Sequence, residues 1–204
     1  MSSTLNPSGP MPRTSSFPSG VRMRRLENPP RRTAPYEQEP GYFEPAGLWL
    51  YGRFRLFDAN LACVPASFGS NHLDRDIDAV EHEAEELVLD GKILVCGIHN
   101  RAHQRAALVP LRWGAPRIVV VSGGFYHHLG PNLKEELFRA AKLWRYEFDA
   151  ETDLIVSRRA PDKKPTFATR NPTVDRVIAC IAKRDWPGLR SPSELVGAGN
   201  RSSL

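Results

Sequence analysis

The sequence predicts an α/β protein: a three-layer sandwich on a mainly parallel sheet, flanked by disordered tails. Three observations predict it. Between residues 46 and 185, short β-branched runs alternate with helical segments of about ten to fifteen residues. One run, Arg117 to Gly124 (RIVVVSGG), is apolar almost without a break, as a central parallel strand buried on both faces would be. Both ends of the chain are rich in Pro, Ser and Gly and lack hydrophobic periodicity.

The elements follow in order. Residues 1–45 read as a disordered tail, and the cluster Arg22, Arg24, Arg25, Arg31 and Arg32 reads as solvated charge or as a polyanion contact. Order begins near GLWLYGRFRLFD (Gly47 to Asp58), and LACVPAS (Leu61 to Ser67) is a short strand followed by a turn. From Asp74 to Leu89, Ile77, Val80, Ala84, Leu87 and Val88 recur at helical spacing, and Gly91 supplies a C-cap. KILVCG is the next strand. A helix then starts near Ala102 and is expected to end by Val109, because Pro110 follows. After the strand RIVVVSGG, good helix formers predict a helix over Asn132 to Leu143. DLIVSRR (Asp153 to Arg159) is a fourth strand, TVDRVIACIAKR a last helix, and residues 186–204 a flexible tail.

Composition narrows the function. The chain has 204 residues, 41% of them hydrophobic, which suffices for one core. A net charge of +5 permits a nucleic-acid partner without requiring one. The N-terminus has no apolar signal region, and no run reaches the length of a membrane span, so a soluble, cytoplasmic protein with no membrane partner is expected. Cys63, Cys96 and Cys180 are far apart and read as reduced thiols.

In parallel sheets ligands bind beyond the carboxyl ends of the strands. There the sequence places Gly97, Arg101 and His103 after the second strand, and Gly123 and Gly124 after the third, where small residues would let a phosphate approach backbone N–H groups. From Arg158 to Arg190 nine Lys and Arg, among them Lys163, Lys164, Arg170 and Arg176, stand against three acids. The segment Asp74 to Asp90 is the reverse, with eight acids against Arg75 alone. So polarised a chain would attract phosphate on one face and repel it on another. Phe125, Tyr126 and Phe167 beside these cations are candidates for base stacking, or for covering the sheet edge.

In this order the motifs resemble the Rossmann-like domain of the DNA-processing protein A (Smf) family of bacteria, over about two thirds of the chain, Leu48 to Ile181. GKILVCGIHNRAHQRAAL is similar to the family's G-x-x-V-V-S-G-L-A-x-G-I-D-x-x-A-H-x-x-A-L, with Gly97, Ala102, His103, Ala107 and Leu108 matching. RIVVVSGGF is similar to T-I-A-V-L-G-x-G, and GPNLKEEL to Y-P-x-x-N-x-x-L through Asn132. LIVSRRAPDKKPTFATRN resembles L-I-S-E-Y-P-P-x-x-x-P-x-x-F-x-x-R-N through Pro161, Pro165, Phe167, Arg170 and Asn171, and RVIACIA matches R-I-I-A-G-L-S through Arg176, Ile178 and Ala179. The resemblance implies a protein of DNA uptake and natural transformation, recombination or repair. It would bind single-stranded DNA, load recombinase A and perform no catalysis, and it would need no cofactor. Arg170, Asn171 and Arg176 would face DNA phosphates, and a homodimer is left open. The chain departs from the pattern in three places. Val64-Pro65-Ala66-Ser67 stands where the family has V-G-S-R. The loop after Gly97 is about four residues shorter. PTVD splits R-N-R. The family's last strands and winged helix are expected to be missing. An altered pocket is therefore expected.

Other readings are a nucleotide sensor of the same superfamily and a scaffold that binds no nucleic acid. Phosphoribohydrolase chemistry is not expected, because Ser122 to Gly130 (SGGFYHHLG) lacks the threonine and glutamate of P-G-G-x-G-T-x-x-E. Cys96, His99 and His103 have metal-ligand spacing, with His127 and His128 nearby in the topology. No carboxylate completes the set in sequence, so no metal is expected.

Overall fold

The computed structural model describes residues 35–64, 74–166 and 171–189. Its elements are α1 (Pro35–Gln38), β1 (Gly41–Phe43), β2 (Leu48–Gly52), β3 (Leu61–Ala62), α2 (Asp74–Leu89), β4 (Ile93–Gly97), α3 (Arg101–Trp113), β5 (Arg117–Val121), α4 (Phe125–Leu129), β6 (Leu154–Ser157) and α5 (Pro172–Ala182), with short 3-10 turns between them. The strands form one sheet in the order β1-β2-β6-β5-β4-β3. Strands β3 to β6 run parallel, while β2 is antiparallel to β6 and β1 to β2.

The two faces of the sheet follow from the period of two along each strand. Leu94, Cys96, Val119, Val121 and Ile155 face one layer, made by Val80, Ala84 and Val88 of α2, by the alanines of α3, and by Phe125 and Leu129 of α4. Val95, Ile118, Val120, Leu154 and Val156 face the other, made by Val174, Val177, Ile178 and Ile181 of α5 with Leu56 and Phe57. The fold is thus the three-layer, Rossmann-like α/β sandwich that the alternation of strand and helix predicts. Complete burial of Ile118, Leu154 and Ile155 stabilises the sheet centre by about 1.5–3 kcal/mol for each side chain. No helix among the described residues is long and apolar enough to cross a membrane.

Several expectations are corrected. Residues 35–45, placed in the tail, form α1, β1 and the start of a 3-10 turn. Tyr36, Phe43 and Phe54 pack their rings together there. At the other boundary Trp186 donates its indole N–H to the Ala46 carbonyl at 2.8 Å, which ties down the chain up to Leu189. Helix α3 does not stop before Pro110 but runs through it to Trp113. Pro110 withholds one N–H, yet Leu108, Val109 and Pro110 are all buried, and Gly114 closes the helix in the left-handed conformation at φ 61°.

The helix expected over residues 132–143 does not form. Leu133 has φ 56°, Glu135 bridges to Glu147, and a single 3-10 turn covers Ala141–Leu143. The cause is Glu136, which is 1% exposed and paired with the fully buried Arg117 at the start of β5. Arg117 also meets Asp153 at 2.9 Å and donates to the Ala107 carbonyl at 3.0 Å, and Arg145 joins both carboxylates. A buried charge must be paired. That requirement outweighs the helix propensity of the residues around Glu136.

Candidate functional site

The carboxyl ends of β4, β5 and β6 lie side by side, since Gly97 pairs with Val120 and Val121 with Ser157. The chain leaves β4 and β5 into α3 and α4, and α5 packs against β4 and β5 from the opposite face. Two cavities open along this edge.

The first, of about 520 Å³, lies between the ends of β5 and β6 and the start of α5. Val120, Val174 and Val177 are its apolar wall; Ser122, Arg158, Arg159, Thr166, Asn171 and Thr173 are its polar one. Asn171 caps α5, its side-chain oxygen accepting the Val174 N–H at 3.2 Å. Arg159 is partly committed: its backbone N–H donates to Ser157 Oγ at 3.0 Å and its guanidinium to the Lys164 carbonyl at 3.1 Å. Arg158 is exposed and makes no hydrogen bond or ion pair among the described residues. A helix start and two arginines at one cavity favour an anion there.

The second cavity, of about 340 Å³, shares Val120, Ser122 and Thr166 with the first. The Ser122 hydroxyl donates to the Thr166 carbonyl at 3.1 Å, a cross-link standing between the two cavities. Ile98, Leu137, Phe138 and Pro165 make its apolar surfaces; His99, His128 and Gln104, whose amide donates to the Ile98 carbonyl at 2.9 Å, are polar.

His99 of the second cavity belongs to a cluster the sequence did not assemble. His99 Nε2 and His103 Nε2 lie 3.0 and 3.1 Å from the same oxygen, Oδ1 of Asp175 on α5. The imidazoles are 4.5 Å apart between centroids. Burial, and His103 beside it, push His99 below the ordinary imidazole value. Burial raises the Asp175 carboxyl, but the hydrogen bond from His103 and the nearby imidazoles outweigh it and hold it below the usual carboxylate range. Asp175 is therefore the carboxylate that the His99/His103 spacing lacked. Cys96 does not join them: it is buried, its thiol reaches toward the Ile118 carbonyl at 3.7 Å, and burial pushes it up to about 12.

His99, His103 and Asp175 have donor atoms within 4.8 Å of one another, close enough to hold a metal ion. The proton arrangement argues for another role. The Gly97 N–H donates to His103 Nδ1 at 3.4 Å, so Nε2 carries the proton and gives it to Asp175. A metal ligand needs that nitrogen bare, with Nδ1 protonated instead. The chain Gly97–His103–Asp175 thus acts as a latch that joins β4, α3 and α5.

The glycines expected to admit a phosphate are occupied by protein. A Cβ on Gly97 would lie 2.7 Å from His99 Nδ1, so the missing side chain makes room for His99. Gly123 lies against Pro165, and its carbonyl accepts the Ser157 hydroxyl at 2.8 Å. The Gly124 N–H already donates to the Lys163 carbonyl at 2.6 Å, and a Cβ there would lie 2.2 Å from the Pro161 oxygen. No open N–H nest forms at these glycines. Phe125 is fully buried, which removes it as a stacking platform, while Tyr126 is exposed.

Of the other expected residues, Asn171 lines the first cavity, and Arg176, one helical turn further along α5, is exposed. Lys163 and Lys164 are exposed on the loop that covers Gly124, with Lys163 3.5 Å from Asp162. Arg101 borders a different hollow beside Asp78 and Arg105. Asn132 is exposed in the turn after α4 and lines neither cavity. Arg170 and Phe167 lie outside the described residues. Sequence reasoning missed Arg158, Arg159 and Thr173 as wall residues, although both arginines were legible as charges at a strand end. No family model matches the chain, and neither a curated protein nor a solved structure matches it.

Proposed function

We propose that the chain binds single-stranded DNA through a backbone phosphate seated in the 520 Å³ cavity. The observation that carries this reading is the convergence of Arg158, Arg159 and the capped start of α5 on one cavity at the carboxyl ends of parallel strands. The exposed Lys163, Lys164 and Arg176 extend positive charge outward from it, as a polyanion longer than one nucleotide needs. The resemblance of the motifs to the DNA-processing protein A family points the same way. On this reading binding is not catalysis: side chains neutralise phosphates, and no nucleophile or general base is required.

A second reading, a free nucleotide as ligand, is favoured by the cavity's size, which falls in the range of about 300–1,000 Å³ typical of small-molecule sites. Fluorescence anisotropy with labelled oligo-dT at two salt concentrations separates the two, using wild type and Arg158→Ala. A single strand bound by this site weakens by about 0.7 in log–log salt slope for each phosphate contact removed. The expected result is salt-sensitive binding that loses about tenfold in affinity, and part of its slope, in the variant. Absence of binding at low salt overturns the DNA reading, and thermal shifts with mononucleotides then test the second one.

A further inference from the structure

We infer that the 340 Å³ cavity is a seat for a neutral heteroaromatic base, so that one nucleotide unit straddles the two cavities. This rests on the reading of the neighbouring cavity as a phosphate seat.

The first support is a pair of orphaned polar groups. His99 Nε2 is held 3.0 Å from Asp175, but His99 Nδ1 is buried without a partner, and so is Nε2 of His128. The His99 side chain is 4% exposed. Buried polar atoms without partners are uncommon in folded proteins and ask for an explanation. Here both imidazoles border the same cavity.

The second support is chemical selection. His99 and His128 are both held toward the neutral form, and a neutral imidazole presents one donor and one acceptor nitrogen. No lysine, arginine or carboxylate lines the cavity, so neither an anion nor a cation is favoured in it. Ile98, Leu137, Phe138 and Pro165 offer apolar contact. A ligand that satisfies this lining has apolar faces and an edge of mixed donors and acceptors, and a nucleobase has both. The third support is position. The shared wall of Val120, Ser122 and Thr166 sets this uncharged seat next to the cationic one, so the two match the two ends of a nucleotide.

The test uses the full chain and reads the histidine ring nitrogens by long-range ¹⁵N–¹H spectra during titration with thymidine and with deoxyadenosine, neither of which carries phosphate. Saturable shifts of the His99 and His128 nitrogens are expected. In parallel, anisotropy compares oligo-dT with an abasic strand of equal length. The base-bearing strand is expected to bind at least about tenfold tighter, with the advantage reduced in His128→Leu. No ring shift at millimolar nucleoside, together with equal binding of the two strands, overturns the base seat. If those equal affinities both fall in Arg158→Ala, the phosphate reading survives without it. Ring shifts with nucleosides but no binding of either strand keep the base seat and overturn the DNA reading.

Discussion

Replacing Arg117 by Met removes one cation from the most deeply buried charge cluster among the described residues. Arg117 and its partners Glu136 and Asp153 are each at most 1% exposed, and Arg145 completes the set at the surface. Methionine keeps much of the aliphatic stem, so little of the loss is packing. What it leaves is two buried carboxylates sharing one cation. Breaking a buried pair in this way costs about 3–5 kcal/mol, because the remaining charge has lost its counterion but not its burial. Urea unfolding with an m-value of about 1–3 kcal/mol/M would then show a midpoint lower by roughly 2 M. Arg117→Met/Glu136→Gln/Asp153→Asn removes the buried carboxylates as well, leaves only the partly exposed Arg145 charge to be solvated, and is expected to recover more than half of that loss. A cost under about 1 kcal/mol for the single variant, or a triple variant no better than the single, would refute the account of why residues 132–143 abandon the helix.

Two other outcomes follow from the titratable groups. Burial, with His127 beside it, pushes His128 down to about 4; in the unfolded chain it titrates near 6.5. The unfolded state therefore binds the extra proton first, and stability falls as pH drops through 6.5. Between pH 7 and pH 5 the loss is about 1–2 kcal/mol. His99 is shifted in the same direction and adds to it, whereas Asp175, held below its usual range, adds its loss only at lower pH. Urea midpoints across this range check it, with a shallower slope expected in His128→Phe; stability that stays flat or rises on acidification contradicts it. Zinc is expected to leave the melting temperature unchanged, because His103 Nε2 holds its proton against Asp175; a zinc-dependent rise that disappears in His103→Gln would show that the latch opens to a metal.

The parallel strands and most of the helices were legible because each carries its own signal. The residues of β5 are buried along its whole length, as RIVVV announces, and α2 spans the residues whose apolar positions recur at helical spacing. Signals failed where a distant partner decides. Nothing local to Lys134, Glu135 and Glu136 reveals that Arg117 waits for a carboxylate. Nor does the spacing of His99 and His103 reveal that Asp175, 72 positions after His103, closes the cluster. Strands β1 and β2 extend the sheet in the antiparallel sense, and their short runs carry no crossover helix to betray them. The glycines misled in a more specific way. Gly97, Gly123 and Gly124 sit where a phosphate loop would have them, but a glycine signals only that something approaches the backbone closely, and here it is His99, Pro165 and Pro161.

That substitution has a consequence for how the edge works. A nest of backbone N–H groups binds phosphate through fixed dipoles, and side-chain variants barely touch it. With the glycines closed, any anion held at this edge would depend on side chains, above all Arg158, Arg159 and the cap residue Asn171. The acidic helix α2 packs against α3, where Glu81 pairs with both Arg105 and Arg112 and offsets part of their charge. On the β6–α5 side Arg158, Arg159, Lys164 and Arg176 are exposed and have no ion pair among the described residues. On the proposed reading a polyanion would be steered along this flank, past Lys163 and Lys164, and its phosphates would reach the first cavity before anything reached the second. On that reading charge would govern the approach, and the neutral histidine cavity would act only on what had already been captured. Salt should then slow association at the first cavity, while changes at His128 should act on dissociation.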